Sequence, residues 1–446
     1  MPAASVAASL SAPLRRRILL SSFACSPLWG SEPGVGWQWL LQLARQHEVV
    51  LLTHAYFREH LEPALSQVGL HVEVHYVQAP AFGLHPHRQL NSRLYYTWWQ
   101  WRVRPVVRQL IVRYRFDLVH HLTWGTLRFP CFLGGLGVPL VMGPLGGGEA
   151  APLRLYRGLP FKVRAFDYLR SASLLWVRLD PLATWGPRSS AVVLCKSSDS
   201  LRALPRSVQA RAAVMPEIGS PEIDLSGRRA SNEAALGTRR FRLLFAGRLL
   251  GWKGVALAIG ATARLVREGL DVQLDIAGDG PLRPHLAAEI TRHGLCDRVC
   301  LRGAIPRADL LALYGQADLF VFPSLHDSSG NVVLEALSRG LPVVCLDLGG
   351  PRLYVDDSCG VVVRTAGSDH TGVEQALAEA IGTLIAQPAR LAAMSRAALE
   401  HAARQSWDEV VAQAYAVIGA RVGWSGGAET QPVPHGAAPL QHRRAP

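Results

Sequence analysis

The residues of this 446-residue sequence best placed to do chemistry are two cations, two carboxylates and a run of backbone N–H groups. They sit on glycine-rich turns. Arg248 and Lys253 lie in Gly247-Arg-Leu-Leu-Gly-Trp-Lys-Gly254, between a short apolar run and a helical pattern. In open α/β sheets, ligands sit at the carboxyl ends of strands. Two cations there, beside a positive helix terminus, suit a diphosphate. Further on is Pro323-Ser-Leu-His-Asp-Ser-Ser-Gly-Asn-Val-Val-Leu-Glu-Ala336, a polar turn leading into a helix that starts near Gly330. The N–H groups of Ser329, Gly330, Asn331 and Val332 would be unpaired there, ready for an anion. Asp327 and Glu335 flank the turn. Glu335, one turn into the helix, could accept hydrogen bonds from two vicinal hydroxyls, as on a ribose. A third strand end, Asp347-Leu-Gly-Gly-Pro351, follows in the same unit. Near the N-terminus, Gly30, Gly34 and Gly36 fall between a first strand and a helix, where glycines let backbone approach a ligand.

These turns need strands and helices to hold them. Short Val-, Ile- and Leu-rich runs occur at Ile18–Ser22, Val49–Thr53, Val72–Val77, Leu118–His121, Pro139–Met142 and Ala191–Cys195. A second series is Phe241–Ala246, Val272–Ala277, Val299–Leu301, Leu319–Phe322 and Val343–Leu346. Runs apolar on both faces suit strands covered by helices on both sides. Amphipathic segments alternate with them; Trp37, Leu40, Leu41 and Ala44 recur at helical spacing. The alternation predicts two parallel-sheet α/β domains, residues 14–215 and 239–405, joined by a Pro- and Gly-bearing linker, 216–238. A helical run, Trp407–Val422, closes the folded part. Residues 1–13 and 423–446, without apolar periodicity, are expected to be disordered.

Composition narrows the class. Apolar residues make up 49% and charged residues 18%, which is globular rather than disordered. The seven cysteines are scattered and odd in number, so a disulfide framework is not expected and a reducing, cytosolic compartment fits. His293, Cys296 and Cys300 lack a fourth ligand, and no metal is expected. The longest uncharged run, Phe129–Gly148, holds seven Gly and three Pro, too many breakers for a membrane span. A net charge of +13 admits nucleic acid, an anionic membrane or phosphorylated substrates. No nucleic-acid-binding motif accompanies it, so nucleic acid is not an expected partner.

In order and spacing the segments resemble the family 4 glycosyltransferases. The carrying residues are Gly247-Arg248…Lys253-Gly254, Ile276-Ala-Gly-Asp-Gly-Pro281, Ala317–Ser324, Glu335–Val344 and Gly349-Gly350. The resemblance runs from Leu14 to Val422 and is densest from Phe241 to Gly360. It implies the GT-B fold: two Rossmann-like domains facing across a cleft, with Trp407–Val422 crossing back to the first. It implies retaining, metal-independent sugar transfer from a UDP- or GDP-linked donor to a saccharide or polyprenyl-linked acceptor. Arg248 and Lys253 would hold the donor diphosphate, with Gly34 and Gly36 facing it across the cleft. Glu335 would bind the ribose. The family's pattern is Glu, seven residues, Glu; here Asp327 is the first acid, whose usual place is at hydroxyls of the donor sugar. The family also places a His at a strand end beside that sugar. Here the segment is Asp117-Leu-Val-His120-His121-Leu-Thr-Trp-Gly125, with adjacent histidines where the usual spacing is His, one residue, His. His121 is favoured and His120 is the alternative.

From Val74 to Phe116 there is no Asp or Glu but seven Arg, around Tyr95-Tyr-Thr-Trp-Trp-Gln-Trp-Arg-Val-Arg104. Trp, Tyr and Arg together suit a bilayer interface. An anionic membrane surface is therefore an expected partner through the Arg93–Arg115 region, with Arg154–Trp185 similar in character. The expected location is cytoplasmic, peripheral at the inner face of the cytoplasmic membrane.

Overall fold

The computed structural model describes residues 15–79, 92–223, 225 and 239–424. Two parallel sheets organise it. The first runs β3-β2-β1-β4-β5-β6-β7. Its strands are β1 Arg17–Ser22, β2 Glu48–His54, β3 Glu73–Val77, β4 Leu118–Thr123, β5 Leu140–Leu145, β6 Val192–Cys195 and β7 Ala212–Val214. The second runs β10-β9-β8-β11-β12-β13. Its strands are β8 Phe241–Ala246, β9 Val272–Ala277, β10 Val299–Gly303, β11 Leu319–Phe322, β12 Val343–Leu346 and β13 Gly360–Val363. Strands β4, β5, β6, β11 and β12 are buried along their whole length, because helices cover both faces. This is why β6, β11 and β12 read as unbroken apolar runs.

In each sheet the strand order reverses once, between β1 and β4 and between β8 and β11. The chain leaving a strand at such a point turns to one side while its neighbour turns to the other. That opens a crevice at the carboxyl ends. The two crevices face each other, and contacts between the domains close the cleft around them. Gly251 meets Val163 of the helix Phe161–Val177 so closely that an added Cβ would stand 2.2 Å from its Cγ1. His326 Nε2 lies 3.0 Å from the fully buried Asp167 Oδ1 and stacks on Trp252 at 5.1 Å. Arg154 donates to the Ser368 carbonyl at 2.5 Å.

Residues 216–238 do not begin as a free linker. Met215, Glu217, Ile218 and Ser220 are buried, and Trp39 Nε1 donates to the Glu217 carbonyl at 2.9 Å. Ser220 N–H donates to the Gln405 carbonyl, so the chain crosses between domains at two adjacent points. Residues 224 and 226–238 lie outside the described residues. The helix Trp407–Val422 packs on the first domain. Tyr415 Oη bonds His120, and Arg421 donates to the Ala212 carbonyl. Of the segment expected to be disordered, Gly423 caps this helix at φ 77° and Trp424 packs under Arg16. The remainder, and residues 1–14, lie outside the described residues. All seven cysteines are free thiols.

His120 and His121 sit in the first domain's core. The Gly143 carbonyl can only accept, so His120 Nε2 donates to it at 2.8 Å and Nδ1 accepts from Tyr415 at 3.0 Å. His121 bonds Ser21 Oγ at 3.1 Å and Tyr96 Oη at 2.8 Å. Replacing Tyr415 by Phe leaves a buried imidazole nitrogen unpaired. It should destabilise the fold by about 1–3 kcal/mol in urea unfolding, and an unchanged midpoint would contradict this pairing.

Burial holds the His120 imidazole down at about 4 and His121, further opposed by His120, at about 3. In the unfolded chain both take up a proton at about pH 6.5. Their neutral forms therefore contribute stability that is present above about pH 6.5 and is lost as pH falls towards 4. The urea midpoint should drop over that window, and less so in a His120→Gln, His121→Asn double variant.

Candidate functional site

A cavity of about 290 Å³ lies where the two crevices meet. From the first domain it is lined by Ser31, Glu32 and Val35 at the start of the helix Glu32–Gln46, and by Lys196 just past β6. Glu217 lines it from the crossing strap. The second domain contributes Lys253 after β8 and the turn Asp327, Ser328, Ser329, Gly330, Asn331, Val332 after β11. Three carboxylates and two ammonium groups thus face one small space.

Local backbone sets this geometry. Gly349 has φ +67°, and a Cβ there would stand 2.2 Å from the Asp327 carbonyl oxygen. Only glycine lets that turn lie against the end of β12, where Gly350 N–H donates to the same carbonyl at 2.8 Å. The turn then feeds the helix Asn331–Ser338. Among the described residues, the N–H groups of Ser329, Gly330, Asn331 and Val332 make no backbone hydrogen bond. All four residues line the cavity, at the positive end of that helix.

The charges are paired. Lys253 Nζ bonds the Asp327 carboxylate. Lys196 Nζ stands 2.6 Å from Glu217 Oε1 and 3.0 Å from Glu32 Oε1. Burial disfavours the Lys196 ammonium, but Glu217 and Glu32 outweigh it and hold its pKa above the ordinary lysine range. Glu32 Oε2 accepts from Gly125 N–H at 3.2 Å. Glu217 Oε2 accepts from Ser329 Oγ at 2.6 Å, which ties the strap to the turn after β11. Burial first, and Glu32 as a like charge, push the Glu217 carboxyl up to about 7 against the pull of Lys196. Such an arrangement can hold a phosphate group on the turn and Lys253, and hydroxyl groups on the carboxylates.

Of the residues singled out from sequence, Lys253, Asp327, Ser329, Gly330, Asn331 and Val332 are brought together here. Arg248 is exposed past β8 and is not part of the lining. Glu335 stands outside the lining, with Arg307 Nη1 3.1 Å from Oε1 and Tyr314 Oη donating to Oε2 at 3.3 Å. Gly34 and Gly36 are not in the lining either. A Cβ on Gly36 would stand 2.4 Å from the Ala24 carbonyl oxygen, so its open side faces this chain's own backbone. Neither His120 nor His121 reaches the cavity: each is buried with both ring nitrogens bonded. Sequence reasoning missed Glu32, Lys196 and Glu217. Lys196 carried a usable signal, a cation directly after the apolar run Ala191–Cys195. Glu217 was hidden by its place in an apparent linker. Elsewhere, Asp356, Cys359 and His401 form a cluster whose ligand atoms lie within 4.8 Å of one another, outside the lining.

Residues 240–387 match the family described as Glycosyl transferases group 1. The chain is 33% identical over 238 residues to Alpha-D-kanosaminyltransferase of Streptomyces kanamyceticus, covering 49% of this chain and 62% of that protein. It spans about half the length of the curated relatives it matches. Among solved structures it resembles sucrose-phosphate synthase from Thermosynechococcus elongatus, with TM-score 0.59 and 19% identity over 91% of this chain and 98% of that one. It also resembles the Anabaena protein HepE, solved with UDP and glucose, with TM-score 0.54 and 21% identity over 90% of this chain and 98% of that one. The facing parallel-sheet domains and the returning helix are the GT-B fold, and within the second domain residues 240–387 match the group 1 glycosyl transferases.

Proposed function

We propose that the chain transfers a sugar, with retention and without a metal ion, from a UDP- or GDP-linked donor to a saccharide or polyprenyl-linked acceptor. The product would belong to polysaccharide or glycolipid biosynthesis. One observation carries the reading: Lys253 and four residues whose N–H groups make no backbone hydrogen bond line a single cavity between two parallel-sheet switch points. A diphosphate seated on that turn would draw Lys253 from Asp327 and free the carboxylate for hydroxyls of the sugar. As the bond to the sugar breaks, the departing phosphate oxygen gains charge, and the same donors meet it without rearranging. Glu335 would take the ribose once the nucleotide reaches past the helix start, exchanging its Arg307 and Tyr314 contacts. The UDP complex of the HepE protein and the sugar transferases among the relatives support a nucleotide-sugar donor.

The membrane part of the reading rests on surface chemistry. On the helix Arg93–Tyr114, Leu94 is 83% and Trp101 59% exposed; on Phe161–Val177, Leu175 and Trp176 are each 71% exposed. An Arg93–Asp180 ion pair joins the two regions, and Arg102 and Arg108 are exposed beside them. Arg104 is different: its guanidinium bonds the carbonyls of Phe132 and Gly134, a structural task. No helix among the described residues is long and apolar enough to cross a membrane.

Two experiments test this. The purified protein is incubated with a panel of UDP- and GDP-sugars, and release of nucleoside diphosphate is followed with and without EDTA. One donor should be hydrolysed slowly, EDTA should not matter, and Glu335→Ala should abolish the reaction. Lys253→Ala should weaken nucleoside diphosphate binding about tenfold to a hundredfold, or roughly 1.4–2.8 kcal/mol. Tight donor binding without turnover, even with lipid extract present, would sink the catalytic reading. In the second experiment, flotation with anionic liposomes should recover the protein. Arg102→Glu with Arg108→Glu should reduce recovery at least about tenfold, since each basic group near such a surface contributes about 1 kcal/mol. Equal recovery of the double variant would overturn the membrane assignment.

A further inference from the structure

Glu217 is not accounted for by donor contacts on the second domain alone. Its carboxylate lines the cavity, is 4% exposed and shares one ammonium with a second carboxylate, that of Glu32. Its backbone is pinned on two sides. Trp39 Nε1 donates to its carbonyl, and Tyr354 hydrogen-bonds the backbone at Glu217 and Ile218. The backbone that carries the carboxylate is therefore held at the cavity. Glu217 Oε2 takes the hydroxyl of Ser329, the first of the four lining residues whose N–H groups make no backbone hydrogen bond. An anion seated on that turn would stand next to Glu217.

We propose that Glu217 takes up a proton when a nucleoside diphosphate occupies the cleft, and donates a hydrogen bond from that proton to a phosphate oxygen. The inference rests on the transferase reading and deepens it by adding a donor-binding residue from the domain crossing. The physical reason is the number of like charges. Facing Glu217 are Glu32 and Lys196 from the first domain, and Asp327, Lys253, Ser329 and the buried Tyr354 phenol from the second. Lys253 is spent on Asp327 or on the phosphates, and Lys196 already serves two carboxylates. Like charges a few ångström apart do not both stay ionised. The carboxyl, pushed up to about 7 by burial and by Glu32 even without nucleotide, is the group that yields. Protonated, it changes from a repelling anion into a further donor for the diphosphate.

The test is calorimetric titration of the full chain with UDP and with GDP at about pH 8, in buffers of different ionisation enthalpy. At that pH the nucleotide's terminal phosphate, which titrates near 6, is already ionised. Close to one proton should be taken up per nucleotide bound. The dissociation constant should rise up to about tenfold per pH unit above neutrality, the slope that one linked proton gives. Glu217→Gln, a neutral isostere that still donates, should bind with no proton uptake and a flat pH dependence. If that variant does not fold, Glu32→Gln serves instead: removing the neighbouring charge should lower the uptake. Binding by the wild type without proton uptake, or uptake that persists in Glu217→Gln, overturns the inference and leaves the transferase reading standing. If neither nucleotide binds at any pH, the transferase reading itself fails and this inference with it.

Discussion

The cleft is organised around a buried ammonium. Lys196 is 4% exposed, and a charge so far from water persists only if counter-charges meet it with good geometry. Those counter-charges come from distant parts of the chain: Glu32 after the first strand, and Glu217 after the last strand of the first sheet. Satisfying one side chain thus draws the ends of β1, β6 and β7 to a single point. The Ser329 hydroxyl on Glu217 extends the link into the second domain. Parallel sheets make this possible, because all strands of a sheet deliver their following loops to the same edge.

The domain contact has its own logic, carried by the helix Phe161–Val177. Val163, Asp167 and Arg170 fall on one face at helical spacing. Val163 fills the space beside Gly251, Asp167 meets His326, and Arg170 bonds both Asp167 and the Glu149 carbonyl. The opposite face shows Tyr168, Leu169, Leu175 and Trp176 to solvent. One helix thus joins the two domains on its inner face and presents an apolar surface on the other. Large exposed apolar surfaces rimmed by cations are uncommon on proteins that meet only water.

Much of the fold was legible because it is local. Eleven apolar runs marked strands; the clearest, such as Leu319–Phe322 and Val343–Leu346, are buried on both faces and leave an unbroken signal. The helix Trp407–Val422 was legible from its periodicity. The edge strands Ala212–Val214 and Gly360–Val363 were not, being too short to show a period and partly exposed. The turn after β11 was legible for the same local reason: its N–H groups, its glycine and Asp327 lie within six consecutive residues.

The sequence by itself determined the two parallel-sheet domains, the glycine-bearing strand ends, and the turn from Asp327 to Val332. Each depends on neighbours along the chain. Only the tertiary structure decided that Lys196 stands between Glu32 and Glu217, that Glu217 reaches Ser329, and that His120 and His121 turn into the core. Residue types and spacing do not encode which strand end meets which. That follows from how two separately folded sheets close on each other, and from the requirement that every buried charge find a partner.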